Sequence, residues 1–85
     1  MPRPIYSDHY SAFRRLLVDA RSKSGLRQED VAAKMLKPQS FISKVERGER
    51  GLDVIEFLAL MQAINADPHE FIDRLLGEMA DAPAE

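Results

Sequence analysis

The sequence predicts an all-α fold, five short helices around one core, and three observations lead there. Apolar residues recur at helical spacing along most of the chain. Turn signals cut it into short helical segments, and no segment reads convincingly as a strand. Its 85 residues allow one small domain at most. At 45% hydrophobic and 31% charged the composition is that of an ordinary globular chain. A domain of this size buries only roughly 60 to 65% of its unfolded surface, so modest stability is expected.

Ser7 is a suitable N-cap for the first helix, whose Tyr10, Phe13, Leu16, Leu17 and Ala20 follow at helical spacing. That helix stops near Ser24-Gly25, where glycine supplies the residue after the cap. Gln28 to Met35 forms a second helix with Val31, Ala32 and Met35 inward. Leu36-Lys37-Pro38 ends it, because proline biases Lys37 away from helical angles. The third helix runs from Pro38 to Glu46 with Ile42 and Val45 on its inner face, and Gly48 closes it. Asp53 opens a fourth helix through Ile64, with Phe57, Leu60, Met61 and Ile64 toward the core. Asp67-Pro68-His69-Glu70 reads as N-cap, first-turn proline and capping-box acid for a fifth helix carrying Phe71, Ile72, Leu75 and Leu76. The resulting organisation is an N-terminal arm over 1–6, a folded domain over 7–76 and a flexible acidic tail over 77–85.

Several function classes are set aside by what the chain lacks. Without cysteine there is no disulfide, thiolate zinc site or cysteine nucleophile. His9 and His69 stand far apart without clustered acids, and no phosphate loop or paired-carboxylate arrangement occurs. No catalytic residue, metal or cofactor is therefore expected. The longest nearly apolar stretch, Val54 to Met61, is broken by Glu56 and is too short to span a bilayer. Nothing after Met1-Pro-Arg-Pro resembles a signal peptide, so a cytoplasmic protein with no membrane partner is expected.

The net charge of −2 conceals an asymmetry. Residues 1–50 carry eleven Lys/Arg against six Asp/Glu, while residues 51–85 carry Arg74 alone against eight acids. Local charge is what a polyanion meets, since the Debye length at physiological salt is about 8 Å. Within the basic half, two helices of about eight residues meet at a turn too tight for antiparallel packing and must cross steeply. That is helix-turn-helix geometry, in which the second helix is presented to the DNA major groove. With Ile42 and Val45 inward, Ser40, Ser43, Lys44 and Arg47 lie on the outer side, and Gln39 projects from the first turn. Glutamine pairs bidentately with adenine, lysine donates to guanine and serine suits either base. Lys37 in the turn adds to this basic face. Arg27 is placed to reach a phosphate. Phe41 lies on the flank, as either a packing residue or an apolar contact to a thymine methyl or sugar. Arg50 either touches a phosphate or caps the third helix.

At Gln28-Glu29-Asp30-Val31-Ala32 and Ile42-Ser43-Lys44-Val45-Glu46-Arg47-Gly48 the chain resembles the lambda-repressor/Cro-type helix-turn-helix family, also called the XRE family, from about Phe13 to Phe71. The resemblance implies a compact five-helix lambda-repressor-like DNA-binding domain in which Gln28 binds a phosphate. It also implies that Gln39, Ser40, Ser43 and Lys44 face bases or the adjacent backbone, and that Arg21 and Glu46 form a structural ion pair. The chain departs from the family at Leu36, where glycine is usual, and at Arg27 and Pro38, which replace Ser/Thr caps.

The function expected from this is sequence-specific transcription regulation by a dimeric repressor or controller protein. The alternative is an antitoxin that binds a toxin protein and autoregulates its operon. A dimer is expected because helix four carries Ile55, Leu58, Ala59 and Gln62 opposite its core face, where a monomer needs polar residues. Coverage of Ile55 and Leu58 by helix five or the arm is the competing explanation. A twofold dimer implies a palindromic operator on double-stranded DNA.

Overall fold

Leu17, Val31, Ile42, Val45 and Met61 are the most deeply buried large side chains, and four different helices supply them. A computed structural model describes residues 8–81 as α1 (Asp8–Ser24), α2 (Gln28–Lys34), α3 (Gln39–Arg47), α4 (Val54–Ala63) and α5 (Pro68–Asp81). The proposed Ser7 cap and the arm over 1–6 lie outside the described residues. α1 packs against α3 and α5, and α2 packs against α3 and α4. The sequence-predicted core residues of α4, namely Phe57, Leu60 and Met61, are all buried, as is Ile64 just after it. Phe13, Phe57 and Phe71 join α1, α4 and α5, with ring centroids 5.2 to 5.9 Å apart and tilted to edge-on orientations, the arrangement that aromatic quadrupoles favour. None of the helices among the described residues is long and apolar enough to cross a membrane.

Three helices end in one motif. After α2, the Lys37 N–H bonds the Ala32 carbonyl (2.9 Å) and the Leu36 N–H bonds the Ala33 carbonyl (3.1 Å). After α3, Glu49 and Gly48 donate to Lys44 and Val45 (2.9 and 3.1 Å), and after α4, Ala66 and Asn65 donate to Met61 and Gln62 (2.9 and 3.1 Å). This double bond is the Schellman arrangement, which needs a left-handed residue at its centre. Leu36, Gly48 and Asn65 occupy that centre with φ of 59°, 80° and 56°. The turn between α2 and α3 therefore keeps the conformation that glycine favours, at a cost for leucine of about 1–2 kcal/mol.

Helix starts are set by carboxylates. Asp53 accepts the Glu56 N–H (2.7 Å), and Glu56 accepts the Asp53 N–H in return (3.1 Å), a reciprocal capping box. Asp67 accepts the His69 N–H (2.9 Å) at the start of α5. At α2 the capping residue is Arg27, whose side chain has nothing to accept with; Asp30 reaches back to its N–H instead (2.9 Å).

Beyond one-residue differences at the C-terminal ends of α2, α3 and α4, two boundaries differ from expectation. Pro38 is the N-cap of α3 and not its first helical residue, with φ −69° and ψ 155°. Proline fixes φ but leaves ψ free, and the extended ψ leads the chain out of the left-handed turn. Helix α5 continues through Gly77 to Asp81, past the Leu76 at which the sequence reading ends the folded domain. A helical glycine costs only about 0.5–1 kcal/mol. Glu78 beyond it pairs with Arg15 (3.3 Å), and Met79 is partly buried. Residues 82–85 lie outside the described set.

Gly25 and Gly48 share a left-handed backbone, but a Cβ on Gly25 meets open space while one on Gly48 lies 2.8 Å from Arg14 Nε. Arg14 is held there because its Nη1 donates to the Glu46 carbonyl (2.7 Å). Gly25→Ala should cost about 1–2 kcal/mol from backbone strain alone, and Gly48→Ala about 1–3 kcal/mol more. Urea unfolding of both variants checks this, and equal losses would show that Arg14 moves aside without penalty.

Candidate nucleic-acid interface

Ile42 and Val45 turn into the core, so Gln39, Ser40, Lys44 and Arg47 stay exposed along one side of α3 and Ser43 is half-buried among them. Phe41, left open between two roles, is buried. Lys37 Nζ and the Arg50 guanidinium lie over its ring, 5.2 and 4.4 Å from the centroid. The ring is thus a floor beneath two cations, within the range of a cation–π contact.

A hydrogen-bonded chain links α1, α3 and α2. Arg21 Nε and Nη2 donate to the two oxygens of Glu46 (2.6 and 3.1 Å). The side chains of this pair are only 18% and 10% exposed, so it is shielded from solvent far more than an ordinary surface bridge. Arg21 Nη1 also donates to the Leu26 carbonyl (3.0 Å), fixing the loop before α2. Gln28 Nε2 donates to Glu46 (2.9 Å), and Gln39 Nε2 donates to Gln28 Oε1 (3.3 Å).

The arginines of the face are held by nearby acids. Arg47 forks onto Glu49 (2.8 and 3.2 Å) and also donates to the Ser43 hydroxyl. Arg50 forks onto Glu56 (3.0 Å for both bonds) and donates to the Gly51 carbonyl (2.8 Å). Its backbone N–H, and not its side chain, reaches the end of α3 at Lys44 (3.3 Å). Arg27 pairs with Glu29 (3.1 Å) and Asp30 (3.3 Å). Hydrogen bonds from Arg47 hold the Glu49 carboxyl below its usual range, and those from Arg50 and then the Asp53 N–H do the same for Glu56. For Asp30 the Arg27 N–H leads and the Arg27 side chain follows. All three acids therefore stay ionised at neutral pH. Among the described residues, Lys34, Lys37 and Lys44 are lysines near α3 with no salt-bridge partner, and Arg14 is bound only to the Glu46 backbone carbonyl.

Sequence reasoning passed over Arg14 and the acids Glu29, Asp30, Glu49 and Glu56. The two- and three-residue spacings of Arg47 to Glu49 and Arg27 to Asp30 were visible signals. Nothing local marked Arg14 or the reach of Arg50 to Glu56. On α4, Ile55 is 74% exposed and Leu58 39%, so α5 does not cover them. Ala59 is half-buried and Gln62 exposed. Val54 on α4 adds exposed apolar surface, and Ile72 and Leu76, named with Phe71 as the apolar residues of helix five, are exposed as well. Among the described residues no cluster of three or more His, Asp or Glu is arranged to hold a metal.

Removing Arg21 leaves the enclosed Glu46 carboxylate with Gln28 as its remaining side-chain donor. Arg21→Ala should lower stability by about 2–4 kcal/mol, while the paired replacement Arg21→Met with Glu46→Leu should cost clearly less. Denaturant melts of the single and double variants measure the difference, and small additive losses would mean that the pair is only a surface contact.

Comparison with known proteins places this geometry. The helix-turn-helix family matches residues 17–71. An XRE-family like protein from Pseudomonas syringae pv. tomato is 43% identical in sequence, with a TM-score of 0.77 over 82% of this chain and 88% of that one. The wild-type restriction-modification controller protein C.Esp1396I is 25% identical, with a TM-score of 0.81 over 91% of this chain and 100% of that one. The same controller protein, as a tetramer in complex with its natural 35 base-pair operator, aligns at 25% identity and a TM-score of 0.77, over 88% of this chain and 99% of that one. No curated protein sequence matches. The chain belongs to the helix-turn-helix family and is an XRE-type regulator within it.

Proposed function

We propose that this chain is a sequence-specific transcription regulator that binds operator DNA as a homodimer, with α3 in the major groove. The observation that carries the reading is the polarity of the Glu46–Gln28–Gln39 chain. The Glu46 oxygens accept from Arg21 and Gln28, so Gln28 turns its NH2 toward Glu46 and its Oε1 outward. Gln39 then donates one N–H to that oxygen and keeps its own Oε1 and second N–H free. One acceptor beside one donor is the pattern that matches the N6 and N7 edge of adenine. Ser40, Ser43 and Lys44 flank this amide on the same exposed side and are the further base-edge candidates. Arg27, Gln28, Lys37, Arg47 and Arg50 surround them as phosphate contacts, and Phe41 supports Lys37 and Arg50 from beneath.

Dimerisation follows from size and from α4. One recognition helix spans few base pairs, too few for the affinity and specificity that a lone small domain needs. Ile55, Leu58, Ala59 and Gln62 offer a surface that a twofold axis makes self-complementary. The operator complex of C.Esp1396I supports the idea that proteins of this shape act as more than one copy. Two recognition helices about 34 Å apart require a roughly palindromic site.

Gln39→Ala or Lys44→Ala should each cost about 1–3 kcal/mol on the selected site and relax preference at one or two base pairs. Arg27→Ala should instead weaken binding to every duplex and flatten the salt dependence by about one unit. Binding-site selection followed by salt titration separates the two classes, and uniform weakening by Gln39→Ala would demote Gln39 to a backbone contact. For the dimer, Leu58→Asp should give a monomer by light scattering that keeps its helical circular dichroism and loses operator affinity. A folded variant that stays dimeric removes α4 from the interface.

A further inference from the structure

We propose that Glu49 is an intramolecular phosphate mimic that competes with DNA for Arg47 and so sets the strength of DNA binding. The inference rests on the DNA-binding reading of α3 and adds a residue which that reading does not use. Arg47 stands on the exposed side of α3, where a duplex would meet it. In the free protein all three guanidinium nitrogens are engaged: Nε and Nη2 fork onto the Glu49 carboxylate at 2.8 and 3.2 Å, and Nη1 donates to the Ser43 hydroxyl. A carboxylate taking two parallel N–H bonds from a guanidinium imitates two phosphate oxygens in shape and charge. A phosphate therefore gains the Nε–Nη2 edge of Arg47 only when Glu49 releases it. The same movement uncovers the Ser43 hydroxyl, one of the candidate base contacts.

Glu56, which holds Arg50, and Asp30, which holds Arg27, have structural duties that Glu49 lacks. Glu56 accepts the Asp53 N–H as half of the α4 capping box. Asp30 accepts the Arg27 N–H at the start of α2. Among the described residues the Glu49 side chain pairs with Arg47 alone, and it stands 55% exposed just beyond the left-handed Gly48. An exposed pair of this kind adds little to folding. Its energetic weight falls instead on binding, because DNA must replace a nearly equivalent partner and must also approach the negative charge of Glu49 itself.

Glu49→Gln keeps the size and polarity of the side chain while removing the charge. Binding to random-sequence duplexes is measured across a salt series for wild type, Glu49→Gln, Arg47→Ala and the double variant. Glu78→Gln on α5, which frees Arg15 of α1, controls for a change of one net charge elsewhere. Glu49→Gln should bind about three- to tenfold tighter at moderate salt, with a log–log salt slope steeper by just under one unit. In the Arg47→Ala background the same substitution should change affinity less than about twofold, because the contested cation is gone. No gain from Glu49→Gln, an equal gain without Arg47, or an equal gain from Glu78→Gln each overturns the role of Glu49. If wild type binds no duplex even at low salt, the DNA-binding reading fails and takes this inference with it.

Discussion

A carboxylate withdrawn from water has to be surrounded by donors, and the arrangement of α3 follows from how Glu46 meets that demand. Arg21 of α1 satisfies both of its oxygens, and Gln28 of α2 shares one of them. The backbone carbonyl of the same residue is taken by Arg14, also from α1. One residue near the end of α3 therefore receives donors from two other helices. Apolar packing through Ile42 and Val45 holds α3 against the core, but it is non-directional and would allow some rotation about the helix axis. The directional bonds to Glu46 remove that freedom, and the outward side chains inherit the orientation.

The helix ends show how the remaining geometry is set, and at what cost. α2, α3 and α4 all stop in left-handed residues with paired carbonyl bonds. Glycine adopts this conformation freely and asparagine tolerates it, whereas Leu36 does so at 91% exposure, where its side chain gains nothing from packing. The steep crossing between α2 and α3 survives the substitution because two backbone hydrogen bonds and the core contacts of both helices outweigh the local strain. Sequence identity at the turn is thus less binding than the hydrogen-bond pattern around it.

Much of the fold was legible because it depends on short-range signals. Helical spacing gave the inner faces of α3 and α4, down to Ile42, Val45, Phe57 and Met61, and the Asp53 and Asp67 starts followed from cap chemistry. The misplaced boundaries lie where local rules compete. A single Gly77 reads as a stop but costs too little to end α5, and Pro38 suits either the cap or the first helical turn. The outward set of α3 was legible for the same periodic reason. The acids that hold Arg27, Arg47 and Arg50 were counted as charges but not paired with them. Side-chain forks such as Arg50 to Glu56 depend on where a loop returns, which periodicity does not encode.

Those forks also change the meaning of the charge asymmetry. The basic half of the chain reads as an open cationic surface from its composition, yet three of its arginines are neutralised in place by neighbours. The Arg50–Glu56 fork has a second consequence, since Glu56 belongs to the capping box of α4 while Arg50 lies over Phe41 of α3. The start of α4 is thereby tied to the inner wall of α3. Phe57 one residue later packs into the aromatic cluster with Phe13 of α1 and Phe71 of α5, and α1 in turn packs against α3. In the proposed dimer, α4 carries the twofold contact and α3 carries the readout. Half-sites on DNA are separated by a fixed helical repeat, so a reader that flexed between these two helices would lose register. The polar fork and the aromatic cluster supply that rigidity from neighbouring residues, Glu56 and Phe57, in the first turn of α4.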